Sequence, residues 1–459
     1  MKRILNRSLL VFFVALLVLV GMGYFIVEYC INSKTWVQQP YNDHIAGSNG
    51  LSKAGTIYDR NDVALAWSEN GKREYHPDYQ TRCSLLHVVG DDSFNISTSI
   101  QSSRFSELTG YNFIWGAGLP QSLKQNSTDM KLTVDAETCR TALEALGDHD
   151  GACVVYNYKT GEIICEVSTK TYDPANRPSS EEIEKNYDGV YLDKVLSSTF
   201  TPGSTFKVVT SAAAIENIPD IYDRTFHCDG EVEIGGSKIT CEGVHGDISF
   251  KDALAQSCNV VFAEIAVEVG SDSMNKAAEK MGVTKSFSVD DNPTVQGHFD
   301  VSDANKNQLG WSGIGQYTDL VNPMQMAIMC GSIANGGETA QPYIIKESSS
   351  VLKNIGKTVT NKKIRLMDGE LSSQLNDLMR YTVESNYGDS MFNGLTVCAK
   401  TGTAEVGKDK EPNAWMIGYS QDESCPLAFA VVVENAGYGY YVAGPVAVAA
   451  MTQAAIAIG

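Results

Sequence analysis

Three short stretches hold residue types that could do chemistry. In TPGSTFKVVTSAAAIE (201–216), Ser204 and Lys207 stand three apart, just after a Pro-Gly turn and at the head of an apolar run. Phe206, Val209 and Ala213 recur on one helical face, so the pattern predicts Ser204 in the first turn of a helix. Residues three apart share a helix face, which brings the Lys207 amine within reach of the serine hydroxyl. A serine hydroxyl is a weak nucleophile until a neighbouring base takes its proton. A lysine can be that base once burial or a second cation lowers its pKa. Backbone N–H groups at a helix start also favour negative charge on a reacting oxygen. Taken alone, the pair reads more simply as a capping serine with an exposed lysine one turn later.

Two further stretches change that balance. AQSCNVVFAEIA (255–266) places Ser257, Cys258 and Asn259 between two helical runs. AKTGTAEVG (399–407) places Lys400, Thr401, Gly402 and Thr403 on a strand-like segment. On a strand Thr401 and Thr403 face the same side, so both can point into one cleft. An S-x-x-K, an S-x-N and a K-T-G in that order form the signature of penicillin-binding proteins and class A β-lactamases.

The similarity extends along the chain, which resembles a class B penicillin-binding protein of the short, PbpA-like form. GTIYDRNDVALAWS (55–68) resembles the family's membrane-proximal block, with Asp62 in place of its glycine and its arginine shifted to Lys53 or missing. TGEIICEVSTKTYDPAN (160–176) resembles the hairpin leading into the catalytic domain. GIGQYTDLVNPMQMAIMCGSIANGGE (313–338) resembles another family stretch, from which Tyr317 and Asn322 depart, and NAWMIGYS (413–420) resembles the block after K-T-G.

The resemblance implies a peptidoglycan D,D-transpeptidase acting through a serine acyl-enzyme. Ser204 would attack the stem peptide with Lys207 as base, Ser257 would relay a proton to the leaving amine, and Asn259 would hold Lys207 and the substrate amide. Lys400, Thr401, Gly402 and Thr403 would bind the substrate carboxylate, and the backbone N–H groups of Ser204 and Thr403 would form the oxyanion hole. No metal or organic cofactor is implied. Donor and acceptor stem peptides would be substrates, β-lactams inhibitors, and a polytopic glycan polymerase a partner. The implied fold is α+β: a serine β-lactamase-like sheet with a helical lobe, preceded by a small β-rich membrane-proximal module and one N-terminal transmembrane helix.

The elements that must position these residues are legible in outline. From Leu9 to Val27 runs an uncharged stretch of 19 residues, long enough to span a bilayer. Lys2, Arg3 and Arg7 precede it, which predicts a cytoplasmic tail at 1–8, an anchor at 9–29 and the remainder outside. Tyr24, Phe25, Tyr29 and Cys30 stand where a cleaved signal peptide would carry small residues. Residues 30–128 read as the membrane-proximal module and 129–459 as the transpeptidase domain, leaving no room for a glycan-polymerising domain. LTVDAETCRTALEAL (132–146) reads as a strand end, an Asp135 cap and a helix, and residues 151–168 read as a hairpin. Strands near 395–403, 413–419 and 427–434 and a closing helix complete a sheet that pairs early and late segments.

Composition narrows the classes. A formal charge of −19 over 459 residues offers no footprint for a phosphate backbone, so nucleic acid is excluded as a partner. Eleven cysteines spread along the chain do not form a disulfide framework. Cys228 and Cys241 flank a hairpin turning at Gly235-Gly236, with His227 and His245 beside them. A disulfide or two free thiols is the simpler reading of that group, a metal site the less simple one. Cys258 reads as a small buried filler. Gly310-Trp311-Ser312-Gly313 nearly mimics a nucleophile elbow but has Ile314 where glycine is required, and Asp59-Arg60 reads as a structural ion pair or a partner-binding feature rather than a catalytic one. The rival functions are a D,D-carboxypeptidase or β-lactamase that gives the acyl group to water, a β-lactam sensor, and a weakly catalytic scaffold.

Overall fold

The computed structural model describes residues 2–37, 51–110, 127–348, 362–407 and 410–459. Its centre is an antiparallel five-stranded sheet. The strand order is Val397–Ala404, Asn413–Ser420, Leu427–Val433, Gly151–Asn157 and Ile163–Thr169, so the two early strands lie beside the late ones as expected. The inner strands are buried at every residue and read as nearly continuous apolar runs. Helices on both faces explain that pattern. Ala136–Leu146 and the closing helix Gly439–Ile458 pack together on one face, and Pro323–Ala334 covers the other. Asp135 caps its helix by accepting from Thr138 N at 2.7 Å.

Beside the sheet edge lies a helical lobe containing Lys207–Asn217, Phe250–Ala255, Asn259–Val269, Ser271–Lys280 and Lys306–Ser312. Lys207–Asn217 is buried continuously from Lys207 to Ala214, so this helix runs through the lobe's interior. The hairpin Glu231–Ile234 and Ser237–Thr240 turns at Gly235 and Gly236 as the sequence predicts, and delivers Cys241 to the lobe.

A second sheet holds Ile57–Tyr58, Ala64–Glu69 and Lys72–Tyr75. Its turn is built by Asp59, whose Oδ1 accepts from Asn61 N at 2.7 Å and Val63 N at 2.9 Å. Arg60 does not pair with Asp59; it bonds to Thr133 O and faces Glu162 at 3.6 Å. The sheet is completed by Met130–Leu132 and Ile345–Ser348, both from beyond residue 128. A two-residue strand and a hairpin bury too little alone, and the distant strands supply the missing backbone partners. Residues 79–109 form short helices rather than strands, beginning where Asp78 caps Thr81 N at 2.8 Å. Residues 38–50 and 111–126 of the expected module lie outside the described residues.

The N-terminal helix spans Lys2–Val37. Its segment Arg7–Glu28 has 22 residues, a mean hydropathy of 2.8 and no buried share, a length and composition that can cross a membrane. The closing helix meets the same length criterion but packs on the sheet.

Candidate active site

Ser204 sits in a tight 3-10 turn, Gly203–Phe206, one step before the helix that begins at Lys207. The sequence pattern predicts Ser204 inside the first α-turn; the turn is tighter because Thr205 Oγ1 donates to Pro202 O at 2.8 Å and Gly203 N to Gly315 O at 2.9 Å. Gly203 has a φ of +53°, and a Cβ there would lie 2.5 Å from Thr403 O. A Cβ on Gly402 would lie 2.7 Å from Pro202 O. The two glycines thus let the serine turn close directly onto the K-T-G strand, Val397–Ala404. Trp415 Nε1 donates to Thr201 O at 2.9 Å and fixes the approach to the turn.

Ser257 lies between the Phe250–Ala255 and Asn259–Val269 helices at a φ of +57°. For a residue with a Cβ that conformation costs roughly 1 kcal/mol or more. It turns both the carbonyl and the hydroxyl of Ser257 toward Lys207, at 2.6 Å and 3.1 Å. Lys207 Nζ also lies 3.0 Å from Ser204 Oγ and 2.7 Å from Asn259 Oδ1. Four oxygens thus surround an amine that has three protons when charged and two when neutral. Ser257 O and Asn259 Oδ1 can only accept and claim two of them. In the neutral amine the lone pair is left to accept from a serine O–H, the arrangement general-base catalysis needs. Lys207 is fully buried, and desolvation brings its pKa from 10.5 to about 8, against the opposing pull of Cys241, Cys258 and Glu242.

Lys400 enters from the sheet side. Its Nζ donates to Ser257 Oγ at 3.1 Å and Thr401 O at 3.0 Å. It is also fully buried, and desolvation, then the Lys207 cation, hold its pKa well below the usual lysine range. Thr401 and Thr403 are half-buried on either side of buried Gly402, the alternation expected of a strand. Asn259 divides its amide: Oδ1 meets Lys207 and Nδ2 donates to Thr240 O at 3.0 Å, leaving one amide proton for another acceptor.

Sequence reasoning missed Tyr387. Its hydroxyl accepts from Thr401 N at 3.0 Å and meets Thr401 Oγ1 at 2.8 Å. It sits at the end of a single π-turn, Val383–Tyr387, which no local pattern marks. Thr403 Oγ1 accepts from Gly439 N at 3.3 Å, so the closing helix also steadies the strand. Ser312 is buried in the Lys306–Ser312 helix, away from any elbow geometry.

The cysteine group differs from its expected composition. Cys228, Cys241, His245 and Cys258 bring their ligand atoms within 4.8 Å of one another. His227 is exposed and bonds instead to Asp247 and Asp229 at 2.6 Å and 3.0 Å. The three cysteines and the histidine lie beside the S-x-N turn: Cys258 is buried within the turn as expected, and Cys241, at the end of the Thr240 strand, contacts it.

Residues 151–452 match the penicillin binding protein transpeptidase domain, a span holding all three motifs. The chain belongs to that family. Among curated relatives of this penicillin-binding transpeptidase, the peptidoglycan D,D-transpeptidase PbpA of Mycolicibacterium smegmatis is 27 % identical over 356 residues, 71 % of each chain. PbpA of Mycobacterium tuberculosis is 28 % identical over 63 % of this chain and 62 % of its own. Among solved structures, the D,D-transpeptidase domain of a peptidoglycan glycosyltransferase from Eggerthella lenta superposes with a TM-score of 0.73 at 25 % identity, covering 88 % of this chain and 98 % of that one. Penicillin-binding protein A from M. tuberculosis, as a β-lactam acyl-enzyme, shares the fold with a TM-score of 0.75 at 22 % identity, covering 89 % and 100 %. The α+β transpeptidase fold and serine acyl-transfer class expected from the sequence therefore hold for this family member.

Proposed function

We propose that this penicillin-binding transpeptidase cross-links peptidoglycan stem peptides through an acyl-enzyme on Ser204. The observation that carries the reading is the buried Lys207 amine 3.0 Å from Ser204 Oγ, with two other protons already committed to fixed acceptors. Ser204 Oγ attacks the carbonyl before the terminal D-Ala while its proton passes to Lys207 Nζ. Backbone N–H groups of Ser204 and Thr403 receive the developing oxyanion, a contribution commonly worth ~3 kcal/mol. Ser257 Oγ then gives its proton to the leaving amine and takes one from Lys207 Nζ, releasing D-Ala and leaving the ester. An acceptor amine attacks that ester and gives up a proton through Lys207 Nζ, which returns it to Ser204 Oγ as the ester C–O bond breaks.

The two lysines divide one charge. Burial lowers the pKa of both amines, and the Lys207 cation disfavours a second one at Lys400, so the pair holds a single charge most readily. A substrate carboxylate arriving beside Thr401 and Thr403 favours a cation at Lys400. Transfer of the proton through Ser257 Oγ, 3.1 Å from each lysine, leaves Lys207 neutral as the substrate binds. The S-x-x-K, S-x-N and K-T-G residues thus act as one unit.

The test is transfer itself. The detergent-solubilised chain is given a stem-pentapeptide donor and a fluorescent amine acceptor, and D-Ala release and product are measured. Transpeptidation predicts product that rises with acceptor; D-Ala release with no acceptor product would instead identify a carboxypeptidase. The apolar Arg7–Glu28 helix supports membrane anchoring, and the preceding basic residues support a cytoplasmic N-terminus with the site outside. A polytopic glycan polymerase is the proposed partner of the membrane-proximal region. Failure to co-purify any such protein after crosslinking in membranes would count against it.

A further inference from the structure

Cys228, Cys241, His245 and Cys258 form a closed set of four soft ligands next to the S-x-N turn. Cys228 Sγ lies 3.5 Å and Cys241 Sγ 3.6 Å from His245 Nδ1, and Cys241 Sγ lies 3.9 Å from Cys258 Sγ. A tetrahedral zinc ion, with bonds of about 2.3 Å to sulfur and about 2.0 Å to nitrogen, sets such atoms about 3.5–3.8 Å apart. A disulfide requires sulfurs about 2.05 Å apart, and packed free thiols have no need of a central histidine. Three thiolates and an imidazole are the donor set that suits zinc, and four protein ligands leave no open position, the mark of a structural site.

The surroundings fit an anionic sulfur. Asn259 N donates to Cys241 Sγ at 3.2 Å. Cys258 is the N-cap of the 11-residue helix Asn259–Val269, so the helix's positive end faces the cluster. The backbone folds the ligands inward: His245 N donates to Cys228 O at 3.1 Å and Cys241 N to Gly230 O at 2.8 Å.

We infer that these four residues bind one structural zinc ion that holds the S-x-N turn in its catalytic shape. Zinc binding displaces the thiol protons. The ion ties Cys258, between Ser257 and Asn259, to Cys241, next to the Thr240 carbonyl that orients the Asn259 amide. It therefore braces Ser257 O and Asn259 Oδ1, the two fixed acceptors of Lys207, and it supports the positive-φ conformation of Ser257. The ion takes no part in the reaction, so the acyl-transfer steps still need no metal.

The experiment uses the full chain in detergent, purified without chelator. Elemental analysis should find about one zinc per chain, and cobalt exchange should give the intense thiolate charge-transfer bands of a tetrahedral site. Cys228→Ser and His245→Ala should each lower zinc occupancy; the second lies on the loop and spares the buried thiols. Chelation should slow acylation by penicillin roughly tenfold or more, with recovery on adding zinc. Ser204→Ala should keep its zinc, which separates this inference from the assignment of the nucleophile. Absence of stoichiometric metal, or an intact mass showing a Cys228–Cys241 disulfide, would overturn the site. Bound zinc whose removal leaves acylation unchanged would overturn its positioning role.

Discussion

Lys207 and Lys400 each place Nζ 3.1 Å from the same atom, Ser257 Oγ. One lysine comes from the helical lobe and the other from the sheet, so the serine hydroxyl is the joint between the two halves of the site. Both amines are fully buried, and neither faces a carboxylate at hydrogen-bonding distance among the described residues. Two cations cannot share that space cheaply: burial lowers both pKa values, and the Lys207 cation lowers that of Lys400 further.

The acylation rate should depend on pH through this pair. With Lys207 as the proposed base, acylation needs its neutral form, and a pKa lowered to about 8 makes the rate rise with pH through that value and level above it. The charged or titratable groups that act on it are Cys241, Cys258 and Glu242, with Lys400 beyond Ser257. Stopped-flow acylation by a β-lactam that lacks the carboxylate checks this. A rate flat from about pH 6 to about pH 10 would remove Lys207 as the base.

A ligand's carboxylate should make that dependence shallower. If it draws the shared proton to Lys400, a β-lactam lacking the carboxylate should acylate slowly near neutrality and gain more from rising pH. Lys400→Ala should erase the difference between the two ligands. Equal pH profiles in the wild-type chain would argue against proton sharing.

Tyr387→Phe should weaken the strand at Thr401. The substitution removes the acceptor of a backbone N–H, and a buried donor left without a partner costs about 1–3 kcal/mol. A lower thermal midpoint and slower acylation are expected, while Tyr387→His, which keeps an acceptor, should recover part of the loss. Unchanged acylation in Tyr387→Phe would show that Thr401 needs no such support.

How much of this was readable from the sequence depended on how local each signal was. The Asp135 cap, the 151–168 hairpin, the Gly235-Gly236 turn and the closing helix each follow from neighbouring residues, and the structure has them. The three motifs could be found because each is contiguous. Tyr387 could not, since its only distinction is a partner brought in by tertiary packing. The second sheet shows the same limit: Ile345–Ser348 joins Met130–Leu132 across more than two hundred residues. In the cysteine group, Cys228, Cys241 and His245 are near in sequence, but the fourth member is Cys258 rather than His227, because the hairpin folds back onto the S-x-N turn.

Glu166 offers a test of the scaffold rather than the site. It is buried on the Ile163–Thr169 strand beside Asp193, and desolvation, then that neighbour, push its pKa well above the usual carboxyl range. A raised carboxyl pKa favours the folded state below the unfolded value and loses that contribution as pH rises. Glu166→Gln should therefore raise the thermal midpoint at neutral pH by a few degrees, with little gain at about pH 4. A loss of stability at neutral pH would mean that Glu166 is charged in the fold.

Gly402→Ala should abolish acylation while leaving the sheet folded. Its Cβ would meet Pro202 O at 2.7 Å and press the Ser204 turn away from the strand. Circular dichroism and penicillin binding, measured together, separate loss of the site from loss of the fold. Normal acylation would mean that the turn and strand need not touch.

The most direct measurement is intact-mass analysis of the chain after incubation with a fluorescent penicillin, wild type beside Ser204→Ala. A single covalent adduct that maps to the peptide containing Ser204, is lost slowly and is absent from the variant is the predicted result. An adduct that persists in Ser204→Ala would place the nucleophile elsewhere and contradict the account.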